Sequence, residues 1–179
     1  KSFYQVNSTQ TEVLYCRAIE MAKLVGTEVL MDAYCGTGTI GLVAARGVDG
    51  NPGAARVIGV EERPDAVADA RNNARHNGIK RAEFVAADAG EYMHRMADEG
   101  APLDVLMIDP PRAGSTPEFL KAACELAPKR IVYISCNPQP QARDAAFLAE
   151  RGWRIVEMQP VDMFPHTSHA ENIILLERR

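Results

Sequence analysis

The sequence has no apolar run long enough to cross a membrane, and its longest apolar runs have the length of β-strands. No basic segment followed by an apolar segment marks a secretory signal. Internal repeats and low-complexity tracts are also absent. A membrane partner is therefore not expected, and we predict a single compact domain over residues 1–179, long enough to bury a sizeable core.

Cysteine is scarce and carries no metal-binding spacing. The four cysteines contain no C-x-x-C pair, which argues against a zinc ribbon, an iron–sulfur site or a disulfide framework: Cys16, Cys35, Cys124 and Cys136. The pattern fits a protein of the reducing cytoplasm. Cys16 and Cys124 fall in helical patterns and are interpreted as packing residues, whereas Cys35 lies in a glycine-rich turn that it could simply support.

Basic residues are not in excess. The net charge is −4 and the pI is about 5.6, whereas a chain that binds nucleic acid phosphates by itself is usually basic. The first residue is Lys1 rather than Met, and a motif follows almost at once. We therefore expect the sequence to be part of a longer protein, in which a local basic surface or another segment supplies affinity for any nucleic acid.

Short apolar strands alternate with helical patterns along the chain. The first helix is predicted from a capping box at Thr9 and Glu12 to about Val25. Helices are predicted between successive strands up to the sixth, but not between the last two, which should pair antiparallel. This predicts an α/β fold with a seven-stranded, doubly wound sheet, its strands at residues 28–33, 56–61, 82–86, 103–108, 130–134, 154–159 and 172–177.

Residues with ligand-binding chemistry follow the first three strands, where doubly wound sheets bind ligands. The turn from Asp32 to Gly41 has the spacing G-x-G-x-x-G, which NAD-binding folds share, and Glu61 follows about 20 residues later. Glu61 could accept ribose hydroxyls or be a solvated loop charge. Asp88 could meet an adenine edge, cap a helix, or do both, and Tyr34 could pack on a cofactor or fill the sheet edge.

Three further segments carry reactive groups. Asp109 stands before two prolines, which hold it in an extended, aimed conformation. Cys136 follows the fifth strand beside a helix start, where a thiolate should be stabilised. Glu171 begins a strand predicted to be central or nearly so, and burial there would raise its pKa towards that of a useful base. His166 and His169 lack further ligands nearby, so no metal site is predicted.

With these motifs assembled, the chain strongly resembles the uracil-5-methyltransferases that act on tRNA and 23S rRNA. The resemblance covers essentially all 179 residues, and its most diagnostic parts are Asp-Pro-Pro-Arg from Asp109, Ser-Cys-Asn-Pro around Cys136, and the segment from Asp162 to Glu171. It implies a Rossmann-like, class I S-adenosylmethionine-dependent methyltransferase fold. It also implies an N-terminal RNA-binding β-barrel and a further subdomain, sometimes with an iron–sulfur cluster, outside this sequence.

The resemblance also implies roles for individual residues. Cys136 matches the family nucleophile and Glu171 the family base, and five residues are expected to contact S-adenosylmethionine: Gln5, Tyr34, Glu61, Asp88 and Asp109. Some members have Asn where this chain has Thr39 and Asp88, which leaves those two contacts less defined. The implied reaction methylates carbon 5 of a specific uridine through a covalent Cys–uracil adduct, with 23S rRNA preferred to tRNA. Arg112 or His169 could orient the base or its phosphate.

Three other functions compete with this interpretation. An amino-group methyltransferase acting on a purine base would share the Asp-Pro-Pro signature, but it would have an aromatic residue where Arg112 stands and no use for Cys136. An NAD-dependent oxidoreductase would explain the glycine turn and Glu61, but not Asp109, Cys136 or Glu171. A non-catalytic RNA-binding module would not need an intact nucleophile and base.

Overall fold

The computed structural model describes residues 8–48, 50–163 and 170–179. Six helices and seven strands lie in this part of the chain. The helices are α1 (Ser8–Ala22), α2 (Thr39–Arg46), α3 (Pro64–His76), α4 (Ala89–Asp98), α5 (Pro117–Leu126) and α6 (Pro138–Ala149). The strands are β1 (Val29–Ala33), β2 (Arg56–Glu61), β3 (Ala82–Ala86), β4 (Val105–Ile108), β5 (Arg130–Ser135), β6 (Trp153–Val161) and β7 (Glu171–Arg178).

All seven strands form one sheet in the order β3-β2-β1-β4-β5-β7-β6. Strands β1 to β5 are parallel, and β7 is antiparallel to both of its neighbours, β5 and β6. The predicted seven-stranded, doubly wound sheet with an antiparallel last strand is confirmed. The strand order reverses between β1 and β4, and a crevice opens at such a point beyond the carboxyl ends of the strands.

The central strands of the sheet are buried on both faces, as expected for parallel strands joined by crossover helices, whereas the edge strands β3 and β6 are partly exposed. One apolar cluster includes Met93, Phe119 and Trp153, and a second includes Leu14, Ile19 and Met107. β4 is buried along its whole length, as is β5 except for its first residue. The central strands are therefore fixed, and the loops at their carboxyl ends start from rigid positions.

Two predicted details of the first helix are wrong. Thr9 is already helical, so it is not the N-cap of a capping box at that position. The helix ends at Ala22 rather than near Val25, because Lys23 and Gly26 have left-handed φ angles of 52° and 93° that no α-helix accommodates. The other element boundaries differ from prediction by at most two residues, and those of α2, β2 and β3 match it. Among the described residues, no helix has the length and apolar character that crossing a membrane requires.

Candidate active site

A cavity of about 960 Å³ opens at the carboxyl end of the sheet. Residues that follow β1, β2, β3, β4 and β5 line it, together with the first residue of β7. The cavity thereby brings together six of the seven residues proposed from the sequence: Tyr34, Glu61, Asp88, Asp109, Cys136 and Glu171. The seventh, Gln5, lies outside the described residues, as do His166 and His169.

The glycine-rich turn after β1 forms the wall beside α2. Gly36 and Gly38 adopt left-handed φ angles of 53° and 80°, which residues with a Cβ rarely adopt. Gly41 lies so close to β1 that an added Cβ would be 2.9 Å from Asp32 Oδ2. These glycines let the helix N-terminus approach the strand closely, and ligand binding by the turn remains a prediction.

Asp32 is a site residue that the sequence interpretation left without a role. Its side chain is buried and accepts a hydrogen bond from the Gly41 amide at 2.8 Å, which ties β1 to the first turn of α2. Burial raises the pKa of Asp32 to about 7, against the opposing effect of the Gly41 amide. Its position on the strand just before the turn is the sequence signal that could have identified it.

Glu61 supports the same turn. Its carboxylate accepts hydrogen bonds from the Gly36 amide at 3.1 Å and from the Arg63 amide at 3.0 Å. The alternative that Glu61 is a solvated loop charge is therefore wrong, because the side chain is half-buried and bound to backbone. Its contact with cofactor hydroxyls remains a prediction.

Asp88 and Tyr34 border the cavity near this turn. Asp88 is exposed and caps α4 by accepting a hydrogen bond from the Glu91 amide at 2.8 Å, so the helix-cap alternative is confirmed. Tyr34 has a left-handed φ of 62° and packs on Phe119, with 5.0 Å between ring centroids. Tyr34 and Phe119 both line the cavity, so they offer an apolar surface on which a planar ligand could stack.

Asp109 follows β4 and is half-buried in the cavity wall. Burial raises its pKa to about 7, and repulsion from Glu171 and Asp32 adds to the shift. Burial also raises the pKa of Glu171, as predicted, since only 6% of this residue is exposed. Three acidic groups therefore share one pocket, where Glu171 and Asp32 disfavour the ionisation of Asp109 and the cluster favours a cationic ligand.

Cys136 directly follows β5, and Glu171 is the first residue of the neighbouring strand β7. The antiparallel register of β5 and β7 pairs Ser135 with Asn172, and Cys136 and Glu171 are the next residues beyond that pair. Both line the cavity, so a thiol and a carboxylic acid face the same space. Arg112 lines the cavity as well, and its positive charge partly opposes the other effects that raise the pKa of Cys136.

The predicted stabilisation of a thiolate at Cys136 is wrong for the free protein. Burial raises the pKa of Cys136, and repulsion from Glu171 and Asp109 adds to the increase, whereas Arg112 opposes it only in part. The position beside the start of α6 was predicted correctly. The sequence could not reveal that two acidic groups from other strands surround the thiol, because they are 27 and 35 residues away along the chain.

No group of three or more His, Cys, Asp or Glu residues within the described ranges has an arrangement that could hold a metal ion. None of the four cysteines forms a disulfide bond. The cavity lining contains several acids, the thiols of Cys35 and Cys136, and the guanidinium groups of Arg63 and Arg112.

Comparison with known proteins identifies the family. A model of the family described as tRNA (Uracil-5-)-methyltransferase matches residues 1–179. The chain belongs to this family. The resemblance inferred from the sequence motifs is thus confirmed.

Members of the tRNA (uracil-5-)-methyltransferase family and more distant methyltransferases resemble the chain. An uncharacterized RNA methyltransferase of Caldanaerobacter subterraneus is 47% identical over 177 residues, which are 99% of this chain and 38% of the relative. One of Lactobacillus johnsonii is 49% identical over 178 residues, again 99% of this chain and 38% of the relative. The chain thus spans about two-fifths of the length of these relatives.

Solved structures agree with this assignment. The crystal structure of Pyrococcus abyssi tRNA (uracil-54, C5)-methyltransferase in complex with S-adenosyl-L-homocysteine superposes with a TM-score of 0.78 at 35% identity, covering 98% of this chain and 40% of that chain. Precorrin-6y C5,15-methyltransferase of Geobacter metallireducens has a TM-score of 0.76 at 16% identity, covering 99% of this chain and 94% of that chain. The second likeness concerns the fold alone. The Rossmann-like methyltransferase fold is confirmed.

Proposed function

We propose that this chain is the catalytic part of an enzyme that transfers a methyl group from S-adenosylmethionine to carbon 5 of a uridine in RNA. The observation that supports this most directly is the placement of Cys136 and Glu171 side by side in the cavity that also contains the cofactor signals. A nucleophile and a base are the two protein groups that methylation at carbon 5 of uracil requires.

The cavity fits S-adenosylmethionine in shape and charge. The donor is a cation with an adenine ring, and the pocket offers the aromatic surface of Tyr34 together with buried acids at Asp32 and Asp109. We propose that Tyr34, Glu61, Asp88 and Asp109 hold it, with Gln5 contributing from outside the described residues. When bound, S-adenosylmethionine supplies the electrophilic methyl group that carbon 5 of uracil takes up.

The protein's own part of the reaction involves Cys136 and Glu171. Carbon 5 of uracil is a weak nucleophile, so the Cys136 thiolate first forms a bond between Sγ and carbon 6, and the electrons of the carbon 5–carbon 6 double bond move into an enolate. After methylation, Glu171 takes the proton from carbon 5. The electron pair of that bond restores the double bond, and the Sγ–carbon 6 bond breaks to release the thiolate.

The substrate must expose the face of the uracil ring, so we propose a uridine that is unstacked in a loop or flipped out. Of the two RNA classes, 23S rRNA is proposed ahead of tRNA. Since the chain has a net charge of −4, we propose that segments outside this sequence provide much of the RNA affinity. None of the four cysteines forms a disulfide bond, which supports the cytoplasmic location that we also propose.

The test uses the complete protein with S-adenosylmethionine and two transcripts containing 5-fluorouridine, one of 23S rRNA and one of tRNA. A base cannot remove fluorine from carbon 5, so the covalent protein–RNA adduct should persist on a denaturing gel. The transcript that forms the adduct identifies the RNA class. The adduct should disappear in Cys136→Ala and persist in Cys124→Ala, which removes a half-buried thiol of α5 far from the cavity lining.

The opposite result has a clear meaning. Methylation of ordinary RNA by Cys136→Ala, with no adduct from the unmodified protein, would show that no thiol adduct is formed. The amino-group methyltransferase would then replace the uracil mechanism.

A further inference from the structure

We propose that Gln141 is a positioning residue that holds Glu171 in place relative to Cys136. This inference rests on the proposed function. Gln141 lies in α6 and is only 3% exposed. Its Nε2 donates hydrogen bonds to the carbonyl oxygens of Tyr133 at 3.0 Å and Asn172 at 3.1 Å. Its Oε1 accepts a hydrogen bond from Asn172 Nδ2 at 2.7 Å.

Both ends of the Gln141 amide are thus used to join two strands. Tyr133 belongs to β5, which leads to Cys136, and Asn172 immediately follows Glu171 in β7. A buried amide in this arrangement is costly to disturb, because its removal leaves several polar partners without hydrogen bonds. Gln141 therefore acts as a clamp between the strand that carries the nucleophile and the strand that carries the base.

The clamp lies where the sheet itself provides little restraint on Glu171. The register between β5 and β7 ends at the pair of Ser135 and Asn172, one residue short of Glu171. On its other side Glu171 pairs with Val161, at the end of the edge strand β6. On the side of Cys136, the two hydrogen bonds between Gln141 and Asn172 therefore restrain the backbone directly beside the proposed base.

Cys136 depends less on Gln141. β5 is paired on both sides, to β4 and to β7, and is buried from Ile131 to Ser135. A second group in α6, Asp144, is buried and accepts hydrogen bonds from the Tyr133 hydroxyl at 2.7 Å and from the Ser115 amide at 2.8 Å. Loss of the Gln141 amide should therefore disturb the base more than the nucleophile.

The experiment compares Gln141→Met with Gln139→Met in the complete protein. Methionine has nearly the volume of glutamine but no hydrogen-bonding amide, and Gln139 is an exposed position on the same helix. Two rates are measured on whichever transcript, 23S rRNA or tRNA, the unmodified protein methylates. The first is adduct formation with the 5-fluorouridine transcript, which needs no proton abstraction, and the second is turnover on the ordinary transcript.

For Gln141→Met we expect the adduct rate to stay within about threefold of the unmodified protein and turnover to fall by about tenfold or more. The covalent adduct should also accumulate on ordinary RNA, which normally releases it. Gln139→Met should change neither rate. A purely structural role would lower both rates together, so a parallel fall, or no change in turnover, overturns the proposal.

A second variant guards against a folding defect. Gln141→Glu keeps the side-chain length and the oxygen that accepts from Asn172, but a carboxylate loses both donated hydrogen bonds. We expect this variant also to lower turnover while leaving the adduct rate nearly unchanged. If neither variant keeps a cooperative melting transition, Gln141 is a structural residue and the proposal is overturned. Failure of the proposed function is distinct, because the unmodified protein would then form no adduct with either fluorinated transcript.

Discussion

Cys136 is surrounded by charges that oppose its proposed reactivity. A thiol attacks carbon 6 of uracil only as a thiolate, yet burial, with added repulsion from Glu171 and Asp109, raises the pKa of Cys136 in the free protein. A cationic methyl donor bound beside these carboxylates would offset their negative charge. At the residue scale, we therefore expect binding of the proposed cofactor to favour the thiolate of Cys136.

This arrangement predicts that Glu171→Gln increases thiolate formation at Cys136 in the free protein. Removing a negative charge that destabilises the thiolate should lower the pKa of Cys136. The measurement is the rate of iodoacetamide alkylation of Cys136 as a function of pH, read from its peptide by mass spectrometry. The midpoint of the rate profile should move to lower pH.

Glu62→Gln provides the matched control for that experiment. Glu62 also lines the cavity, but it does not contribute to the raised pKa of Cys136, so the alkylation profile should be unchanged. Equal profiles for all three proteins would contradict the electrostatic account of the thiol.

Most site residues could be predicted from the sequence, since each follows a strand in a recognisable motif. Asp32 was not assigned, although it stands just before the glycine turn, because its role depends on a hydrogen bond from the Gly41 amide that only the structure shows. Gln141 was missed for a related reason. Its role depends on Asn172, which is 31 residues away along the chain.

At the scale of an element, Asp88 has two separable roles. It caps α4 through the Glu91 amide and lines the cavity. We predict that Asp88→Ala lowers the free energy of unfolding by about 1 kcal/mol, whereas Asp88→Ser keeps the cap and costs only a few tenths. Thermal or urea unfolding measures the difference.

The proposed cofactor contact of Asp88 is tested separately from its capping role, by measuring the binding of S-adenosylmethionine with titration calorimetry. Both variants lose the carboxylate, so both should bind the proposed cofactor more weakly if Asp88 contacts adenine. Asp88→Ala and Asp88→Ser control for each other, because both lose the carboxylate but only Asp88→Ala also loses the cap. If Asp88→Ser binds as tightly as the unmodified protein, Asp88 is a cap alone.

The elements themselves followed from alternating apolar strands and helical patterns, and the antiparallel pairing of the last two strands followed from the absence of a helix between them. The position of β7 between β5 and β6 did not, because local patterns do not encode which strands are neighbours. The end of α1 was misplaced because the left-handed Lys23 resembles any other helical lysine in sequence.

At the scale of the whole molecule, the buried acids make stability depend on pH. The pKa values of Asp32 and Asp109 are raised to about 7 in the folded state from an ordinary value of 3.8. Between pH 4 and 7 the folded state thus binds more protons than the unfolded state at these groups, so their contribution lowers the free energy of unfolding as pH rises. The loss of stability caused by ionising these two groups is complete above pH 7 and absent below pH 4.

Asp109→Asn should therefore stabilise the protein at pH 8 by about 1 to 3 kcal/mol and have little effect at pH 4. Urea unfolding at the two pH values gives the comparison. Asp65→Asn is the control, and at pH 8 it should destabilise the protein. Arg63 lowers the pKa of the exposed Asp65, so the negative charge of Asp65 favours the folded state. An equal increase in the free energy of unfolding of Asp109→Asn at both pH values would contradict the link between protonation of Asp109 and stability.

The insertion of β7 between β5 and β6 also affects the order in which a growing chain can assemble. The ribosome makes β6 before β7, but among the described strands β6 pairs with β7 alone. The edge strand must therefore wait for residues 171–178 before it can pair. The same strand starts with Glu171, so we expect the edge of the sheet and the proposed base to be completed together, after the proposed nucleophile has been synthesised.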